Sequence, residues 1–184
     1  MNKGQNLYKK AKKIILGGNM LLSKRPEMFL PNLWPSYFKK SEKIYLWDLN
    51  GKKYTDMIFA VGQNILGYKN TDLDNSVISS IKRGNMTTLN CPEEVYLTKK
   101  LISLHPWAGM AKYARSGGEA NALAIRIARA ASKKDGVAIC GYHGWHDWYL
   151  STNLKNNSGL EEHSLPGLNP NGVPKALVNT VFPF

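Results

Sequence analysis

The feature that most constrains the fold is one stretch in which a glycine turn, a helical segment and a short apolar run follow one another. The stretch, residues 114–140, is ARSGGEANALAIRIARAASKKDGVAIC. Apolar residues repeat at helical spacing over 119–132, and 137–140 is wholly apolar, as expected for a strand covered on both faces. With a short strand predicted over 111–114, the order becomes strand, helix, strand. The sequence therefore predicts a βαβ unit, a parallel sheet and an α/β fold.

The predicted helix over 119–132 is amphipathic. We expect the side chains that share its apolar face to be buried against the sheet. They are Ala120, Leu123, Ala124, Ile127, Ala128 and Ala131.

Local signals predict a helix, an irregular connector and a hairpin upstream. Lysines alternate with apolar residues over 3–15 and predict a helix that ends at Gly17–Gly18. The proline- and aromatic-rich segment 20–37 is expected to be an irregular, packed connector. The Asn50–Gly51 pair supplies positive φ angles and predicts a hairpin of two antiparallel strands.

Two more helices are predicted before the βαβ unit. The first covers 71–83, with Thr71 or Asp72 as its cap and Gly84 at its end. Its apolar stripe contains Leu73, Val77, Ile78 and Ile81. The second covers 92–104, because proline and two glutamates suit the first turn of a helix.

Composition bounds the class of protein. The chain has 184 residues and a formal net charge of +12, but its lysines are scattered, which favours a basic surface over a nucleic-acid site. No apolar run approaches the roughly 18 residues that span a bilayer. The N-terminal run "IIL" is shorter than the core of a signal peptide, so a cytoplasmic location is expected. Cys91 and Cys140 form no paired motif and are expected to be free, buried thiols.

The glycines before the predicted helix make sense if an anion lies at the helix start. A helix N-terminus has unpaired N–H groups and a positive partial charge. Gly117 and Gly118 allow close approach of a ligand, and Ser116 adds a hydroxyl. The alternative is a tight strand-to-helix turn capped by serine. The four residues alone do not decide between these interpretations.

A second cluster, GYHGWHDWY over 141–149, follows the next predicted strand and favours the ligand interpretation. By the topology of a βαβ unit it opens at the same sheet edge as the glycines. Tyr142 is suited to stack on a flat heterocycle, which indicates pyridoxal phosphate, a nucleotide or a flavin. A metal site at His143, His146 and Asp147 lacks a distant third ligand and is not favoured. Trp145, Trp148 and Tyr149 suit a core or a subunit interface, and Cys140 with His143 is a less favoured nucleophile pair.

The stretch from RSGGEA to YHGWHDWYL resembles the class III, or omega-type, pyridoxal-phosphate aminotransferases. It is most similar to the branch that contains glutamate-1-semialdehyde 2,1-aminomutase. That family has a Ser-Gly-Thr/Ser-Glu-Ala turn, an A-x-R-x-A-R helix and a Tyr-His-Gly motif. Upstream, GGNMLLSKRP, YLWDLNGKKYTDM and ILGY also resemble the family, so the resemblance covers residues 15–154.

The resemblance implies a set of roles for residues that match the motifs. Ser116, Gly117 and Gly118 would bind the phosphate of pyridoxal 5′-phosphate, Tyr142 would stack on its ring, and His143 would lie beside it. Arg25 is a weak candidate for the substrate carboxylate. No metal is expected.

Three positions need comment against the family pattern. Glu119 matches an acidic residue whose role stays open. Gly118 replaces the usual hydroxyl residue, and Tyr68 stands where the family often has histidine.

The resemblance also implies an architecture and an activity. The fold would be partial fold-type I, with a helix-and-hairpin segment over 1–57 and the first part of the large domain over 58–184. The Schiff-base lysine and the acidic partner of the pyridine nitrogen are expected downstream of these residues, so no catalytic residue is assigned and the fragment is expected to be inactive. The complete enzyme would be a homodimeric aminotransferase, or alternatively an aminomutase, acting on a small amino or keto substrate, with no nucleic-acid or membrane partner.

Overall fold

The computed structural model describes residues 2–155 and 169–184. The chain forms two compact units, Met1–Leu89 and Asn90–Phe184. The described α-helices are α1 (Lys3–Ile14), α2 (Phe59–Gly62), α3 (Thr71–Arg83), α4 (Pro92–Leu104), α5 (Gly117–Ser132) and α6 (Asp147–Leu150). The described strands are β1 (Phe38–Glu42), β2 (Tyr45–Asp48), β3 (Lys53–Thr55), β4 (Val137–Ile139) and β5 (Val181–Pro183). The predicted division into 1–57 and 58–184 refers to the domains of the complete family fold and stays a prediction.

Helix α1 starts and ends as its sequence predicts. The Asn2 side chain accepts a hydrogen bond from Gly4 N–H and caps the first turn. Tyr8 and Ala11 form its buried side, and the helix gives way to a 3₁₀ turn, Leu16–Gly18, in which Gly17 has a φ of 74°. The connector that follows is irregular, as predicted, with two further 3₁₀ turns at Leu22–Lys24 and Pro26–Met28. The prediction that it is packed is wrong, because most of its apolar side chains, such as Met20 and Leu33, are exposed.

The hairpin prediction is confirmed and extended by one strand. β2 and β3 pair antiparallel around the turn, with Leu46 opposite Tyr54. Gly51 has a φ of 86°, but Asn50 does not have a positive φ, so the expectation of positive φ at both residues of the pair is wrong for Asn50. β1 also pairs antiparallel with β2, which makes a three-stranded sheet in the order β1-β2-β3. No strand was predicted over residues 38–42.

Helices α3 and α4 have the predicted bounds, but the cap of α3 is different. The cap is Asn70, whose side chain accepts from Leu73 N–H at 3.1 Å, and not Thr71 or Asp72. Asparagine is as strong a cap as aspartate, and the backbone at Asn70 is extended, as a capping residue requires. Gly84 ends α3 with a φ of 102°.

A parallel strand pair is present in the second unit, although its members differ from those predicted. β4 pairs parallel with β5, with Val137 opposite Val181. The strand predicted over 111–114 is not formed, because no strand among the described residues pairs with it. A single extended run without a neighbour has no ladder of hydrogen bonds and is not a strand of a sheet.

Helix α5 begins at Gly117, two residues before the predicted start, and buries a different face. Its partly buried side chains Ala122 and Ile125 pack against the core cluster of this unit, which contains Ile139, Trp148, Tyr149 and Val181. The predicted stripe is wrong: Leu123 is half-buried, and the other members, Ala120, Ala124, Ile127, Ala128 and Ala131, are exposed. The cluster lies beside the adjacent face of the helix, and periodicity alone does not fix which of two neighbouring apolar faces meets the core.

The thiols and the aromatic run differ in part from expectation. Cys91 and Cys140 are free, as predicted, but both are exposed, because one precedes α4 and the other lies just beyond the buried end of β4. Trp148 and Tyr149 are core residues, whereas Trp145 is exposed. Among the described helices, none combines the length and the apolar character that crossing a bilayer requires.

Candidate cofactor site

Two residues cap the N-terminus of α5, Ser116 just before the helix and Glu119 in its first turn. Ser116 has an extended backbone, and its Oγ accepts a hydrogen bond from Glu119 N–H at 3.3 Å. The Glu119 carboxylate reaches back and accepts from Arg115 N–H at 2.9 Å. This reciprocal pair is a capping arrangement, so Glu119, whose role the sequence left open, stabilises the helix start.

Two N–H groups at this end have no acceptor in the part of the chain that the structure describes. Among the described residues, none accepts a hydrogen bond from the N–H of Gly117 or Gly118, which we call the amide pair. A Cβ placed on Gly117 would meet no atom within 4 Å, so the space beside it is open. The Ser116 oxygen acts as an acceptor in the cap, which leaves its hydroxyl proton available to a ligand. This arrangement fits an anionic group, because the amide pair and the helix dipole both favour negative charge.

Residues 141–146, which we call the aromatic loop, lie against this helix end. A Cβ on Gly144 would lie 3.6 Å from the Gly118 Cα, and Gly144 itself has a φ of 106°. The Asn121 side-chain amide donates to the His143 carbonyl oxygen at 3.2 Å and ties the loop to the helix. The structure thus brings together the two segments that the βαβ argument predicted to be neighbours.

Tyr142 and His143 are held by the core beneath the aromatic loop. The Tyr142 ring is 50% exposed and packs at 85° to the ring of Tyr149, with centroids 5.8 Å apart. Tyr149 is fully buried, and its hydroxyl donates to the Gly141 carbonyl at 3.2 Å. His143 Nε2 lies 2.7 Å from the Cys140 carbonyl oxygen and donates to it, because a carbonyl only accepts. Tyr142 therefore has accessible ring surface with which a planar ligand can stack.

Arg25 belongs to the other compact unit. Its guanidinium contacts Gly17, and its Nε is buried without a partner among the described residues. Nearby, the Tyr8 hydroxyl donates to Glu27 at 2.9 Å, and burial together with this carboxylate raises the pKa of Tyr8. The assignment of Arg25 to a substrate carboxylate stays a prediction.

Within the segment YLWDLNGKKYTDM, Asp48, Gly51, Tyr54 and Asp56 form a D-x-x-G-x-x-Y-x-D motif that stabilises the hairpin. Asp48 accepts from the N–H groups of Asn50 and Lys52 at 2.8 and 2.9 Å and from the Tyr54 hydroxyl at 3.1 Å. Burial acts to raise the pKa of Asp48, but the hydrogen bonds lower it by more than burial raises it, so the pKa lies below its ordinary value. The position of Asp48 two residues before Asn50 is the sequence signal for this structural role.

Asp56, the last residue of the motif, has a comparable role. It accepts from the Tyr68 hydroxyl and from the N–H groups of Ile58 and Phe59. Burial raises its pKa and these donors lower it, with a lower pKa as the result. The pKa of Tyr68 is raised by burial and by Asp56. Both residues line a cavity of about 460 Å³ in the first unit, which the sequence analysis did not predict.

Within residues 2–155 and 169–184, no cluster of three or more histidine, cysteine or acidic side chains could hold a metal ion. His143 and His146 instead take part in ring contacts, with Trp148 and Tyr149 for the former and Trp145 for the latter.

Known proteins with similar sequences are enzymes that act on amino groups. A family model described as aminotransferase class-III matches residues 31–178. A 3-aminobutyryl-CoA aminotransferase from Cloacimonas acidaminovorans is 35% identical over 147 residues, which are 79% of this chain and 35% of the relative. A glutamate-1-semialdehyde 2,1-aminomutase from Methanothrix thermoacetophila is 34% identical over 176 residues, which are 95% of this chain and 39% of the relative. The chain thus spans well under half the length of these relatives.

Solved structures agree on the fold. An omega-transaminase from Sphaerobacter thermophilus has a TM-score of 0.79 at 20% identity, over 100% of this chain and 41% of the other. A glutamate-1-semialdehyde-aminomutase from Pseudomonas aeruginosa has a TM-score of 0.72 at 19% identity, over 98% and 38%. These matches confirm the predicted partial fold-type-I architecture. Together with the match over residues 31–178, they lead to one conclusion: this chain belongs to the class-III aminotransferase family.

Proposed function

We propose that this chain forms the phosphate- and ring-binding part of a pyridoxal 5′-phosphate enzyme that moves an amino group to or from a carbonyl substrate. The observation that carries the proposal is the amide pair of α5 lying open beside the aromatic loop. Membership of the class-III aminotransferase family supports the choice of cofactor and reaction.

Each site residue has a separate task in this proposal. Gly117 and Gly118 donate their N–H groups to the phosphate, and the Ser116 hydroxyl adds a third donor. Tyr142 covers one face of the ring and excludes water from it, while His143 fixes the backbone of the aromatic loop through Cys140. The cofactor, when bound, supplies an electron sink for the carbon that carries the amino group. The chain's own contribution is to hold and orient it.

The experiment measures binding of pyridoxamine 5′-phosphate to the purified chain by fluorescence titration. This probe has no aldehyde, so it does not react with surface lysines. Gly117→Ala places a methyl group in the open space beside the amide pair and keeps both N–H groups. The methyl group should hold the phosphate away from them and weaken binding about tenfold, on the order of one hydrogen bond to a charged group. Gly109→Ala is the matched control, because a Cβ there also meets nothing within 4 Å. Equal affinity of the two variants would refute the assignment of the amide pair.

Aminomutase activity is the second candidate. The aminomutase relative aligns with 95% of the chain, against 79% for the aminotransferase relative. The two activities differ in one measurable respect, because a transaminase needs a separate amino acceptor and a mutase does not. Turnover of glutamate-1-semialdehyde by the complete protein without an added keto acid would favour the mutase.

The assembly and location also belong to the proposal. We propose that the complete enzyme is a cytoplasmic homodimer, with the apolar connector 20–38 as part of the subunit interface. Exposed side chains in that connector, such as Leu33 and Met20, support this role. Light scattering of the complete protein tests it, since a monomer at micromolar concentration would contradict it. The net charge of +12 leaves a nucleic-acid partner as the rival, which would show affinity that falls steeply with salt.

A further inference from the structure

His146 occupies the space into which a side chain at position 118 would project. A Cβ placed on Gly118 would lie 2.8 Å from His146 Nε2 and 3.1 Å from its Cδ2. A Cβ at 2.8 Å is already closer to the imidazole than such an atom normally comes, so any side chain at 118 would require the ring to move. A hydroxyl residue at 118 and the observed position of His146 therefore exclude one another.

Position 118 is also where this sequence departs from the pattern of its family. In the Ser-Gly-Thr/Ser-Glu-Ala turn that this stretch resembles, a hydroxyl residue stands there, whereas Gly118 has no side-chain donor. The imidazole nitrogen nearest to Gly118 lies 2.8 Å from the point at which that side chain would begin. Position 118 therefore has no side-chain hydroxyl, and His146 Nε2 lies beside it as a different possible donor, next to the amide pair.

The backbone of His146 is anchored, whereas its ring nitrogens form no hydrogen bond with the described parts of the chain. Its carbonyl oxygen accepts from Tyr149 N–H at 2.9 Å and from Leu150 N–H at 3.1 Å, which begins α6. The ring packs against Trp145, with centroids 5.2 Å apart. Among the described residues, no hydrogen bond involves either ring nitrogen. The imidazole is thus held in place while Nε2 has no hydrogen-bond partner within residues 2–155 and 169–184.

We propose that His146 Nε2 donates to the cofactor phosphate the side-chain hydrogen bond that a hydroxyl residue at 118 would otherwise make. This inference rests on the proposed function, because it assumes that the amide pair binds a phosphate. It assigns a phosphate-binding role to His146, distinct from the position of His143 beside the ring.

The test compares two variants of His146 in the whole chain. His146→Gln keeps an N–H donor on a side chain of similar length, and His146→Leu fills the space without a donor. Binding of pyridoxamine 5′-phosphate should weaken about 10- to 100-fold in the leucine variant, as for loss of one hydrogen bond to a charged group, and stay near the unsubstituted value in the glutamine variant. Inorganic phosphate should follow the same order, and pyridoxamine, which lacks the phosphate, should bind all three proteins equally.

A reciprocal exchange gives a second, independent result. Gly118→Ser alone should weaken phosphate binding because its side chain displaces the imidazole. Combined with His146→Ala, the same serine should restore affinity above that of His146→Ala alone. The ring ¹⁵N signals of His146 should also shift when inorganic phosphate is added, which a purely space-filling histidine would not show. Circular dichroism confirms that each variant is folded before its affinity is compared.

The outcomes separate the inference from the proposed function. If His146→Leu binds as the unsubstituted chain does while Gly117→Ala binds weakly, the inference fails and the phosphate site stands. If the unsubstituted chain shows no preference for pyridoxamine 5′-phosphate over pyridoxamine, both fail.

Discussion

At the scale of the residue, Asp48 illustrates how one carboxylate determines a local structure. It is 1% exposed, and both of its oxygens are occupied by donors from its own hairpin. Asn50–Gly51 lies at the turn, and the Asp48 carboxylate accepts hydrogen bonds from the turn N–H groups of Asn50 and Lys52. The turn could be predicted from Asn50–Gly51, whereas burial of Asp48 depends on contacts beyond the hairpin sequence.

The lowered pKa of Asp48 makes a prediction about pH. A carboxyl group whose pKa is lower in the folded state contributes stability above its unfolded pKa of about 3.9, and this contribution is lost as the pH falls through the folded value. The free energy of unfolding should therefore decrease on acidification below about pH 4. Asp48→Asn should remove that part of the pH dependence and lower stability at neutral pH by about 1–3 kcal/mol.

Urea denaturation at several pH values measures this effect. Glu42→Gln is the control, since Glu42 is an exposed carboxylate in the same sheet. If the two variants had the same pH dependence, Asp48 would not be the linked group.

Ser116 has two tasks that substitutions can separate. Its oxygen caps α5, and its proton is available to a phosphate. Ser116→Ala should lose both, with a decrease in stability of about 0.5–2 kcal/mol. Ser116→Asp should keep the cap and a favourable charge at the helix start, while its carboxylate repels a phosphate.

The measurement pairs thermal unfolding with titration of pyridoxamine 5′-phosphate. We expect the aspartate variant to be as stable as the original chain and to bind far more weakly. Ser116→Asn, which caps without charge, should be stable and intermediate in affinity. Strong binding by the aspartate variant would exclude Ser116 from the phosphate site.

At the scale of the element, a helix or strand could be predicted accurately where neighbouring residues determine it, and less accurately where residues distant in sequence determine it. Helices α3 and α4 were predicted to the residue because glycine, proline and first-turn acids are local signals. Two strand predictions were wrong: a strand was predicted over 111–114 and is absent there, and β1 was not predicted. Both depend on which strands pair, and pairing involves residues distant in sequence. The candidate site was predictable as far as the βαβ order brought two segments together. The overlap of His146 with a side chain at 118 was not, because no local pattern encodes it.

Helix α5 provides the sharpest test of an element. Ile125 packs against the core cluster, whereas Ile127, which the sequence assigned to the core, is 55% exposed. Ile125→Ala should lower the free energy of unfolding of the second unit by about 1–3 kcal/mol, less than a fully buried position would. Ile127→Ala should change it by less than about 0.5 kcal/mol. Chemical denaturation followed by tryptophan fluorescence compares the two, and a larger effect at Ile127 would restore the predicted face.

At the scale of the whole molecule, apolar stripes on several helices face solvent. The stripe of α3 contains Leu73, Val77, Ile78 and Ile81, and each of them is about half exposed or more. The chain spans only 35–39% of the length of its curated relatives, so a stripe that is core in a whole relative need not be core here. Amphipathic periodicity identifies a face that prefers burial, but it does not say which segment covers that face.

Two valines test this interpretation, because they differ in burial and not in type. Val77 is 48% exposed on α3, and Val181 is 5% exposed in the core cluster. Val77→Asn should change the free energy of unfolding by less than about 0.5 kcal/mol and reduce binding of a hydrophobic dye. Val181→Asn should destabilise by roughly 1–3 kcal/mol for an unpaired buried amide, in addition to the lost packing, and should increase dye binding. Because the two positions lie in different compact units, the amide signals of each unit report its own unfolding. Comparable destabilisation at Val77 would mean that the stripe of α3 is already covered within this chain. The statement that this stripe faces solvent would then be wrong.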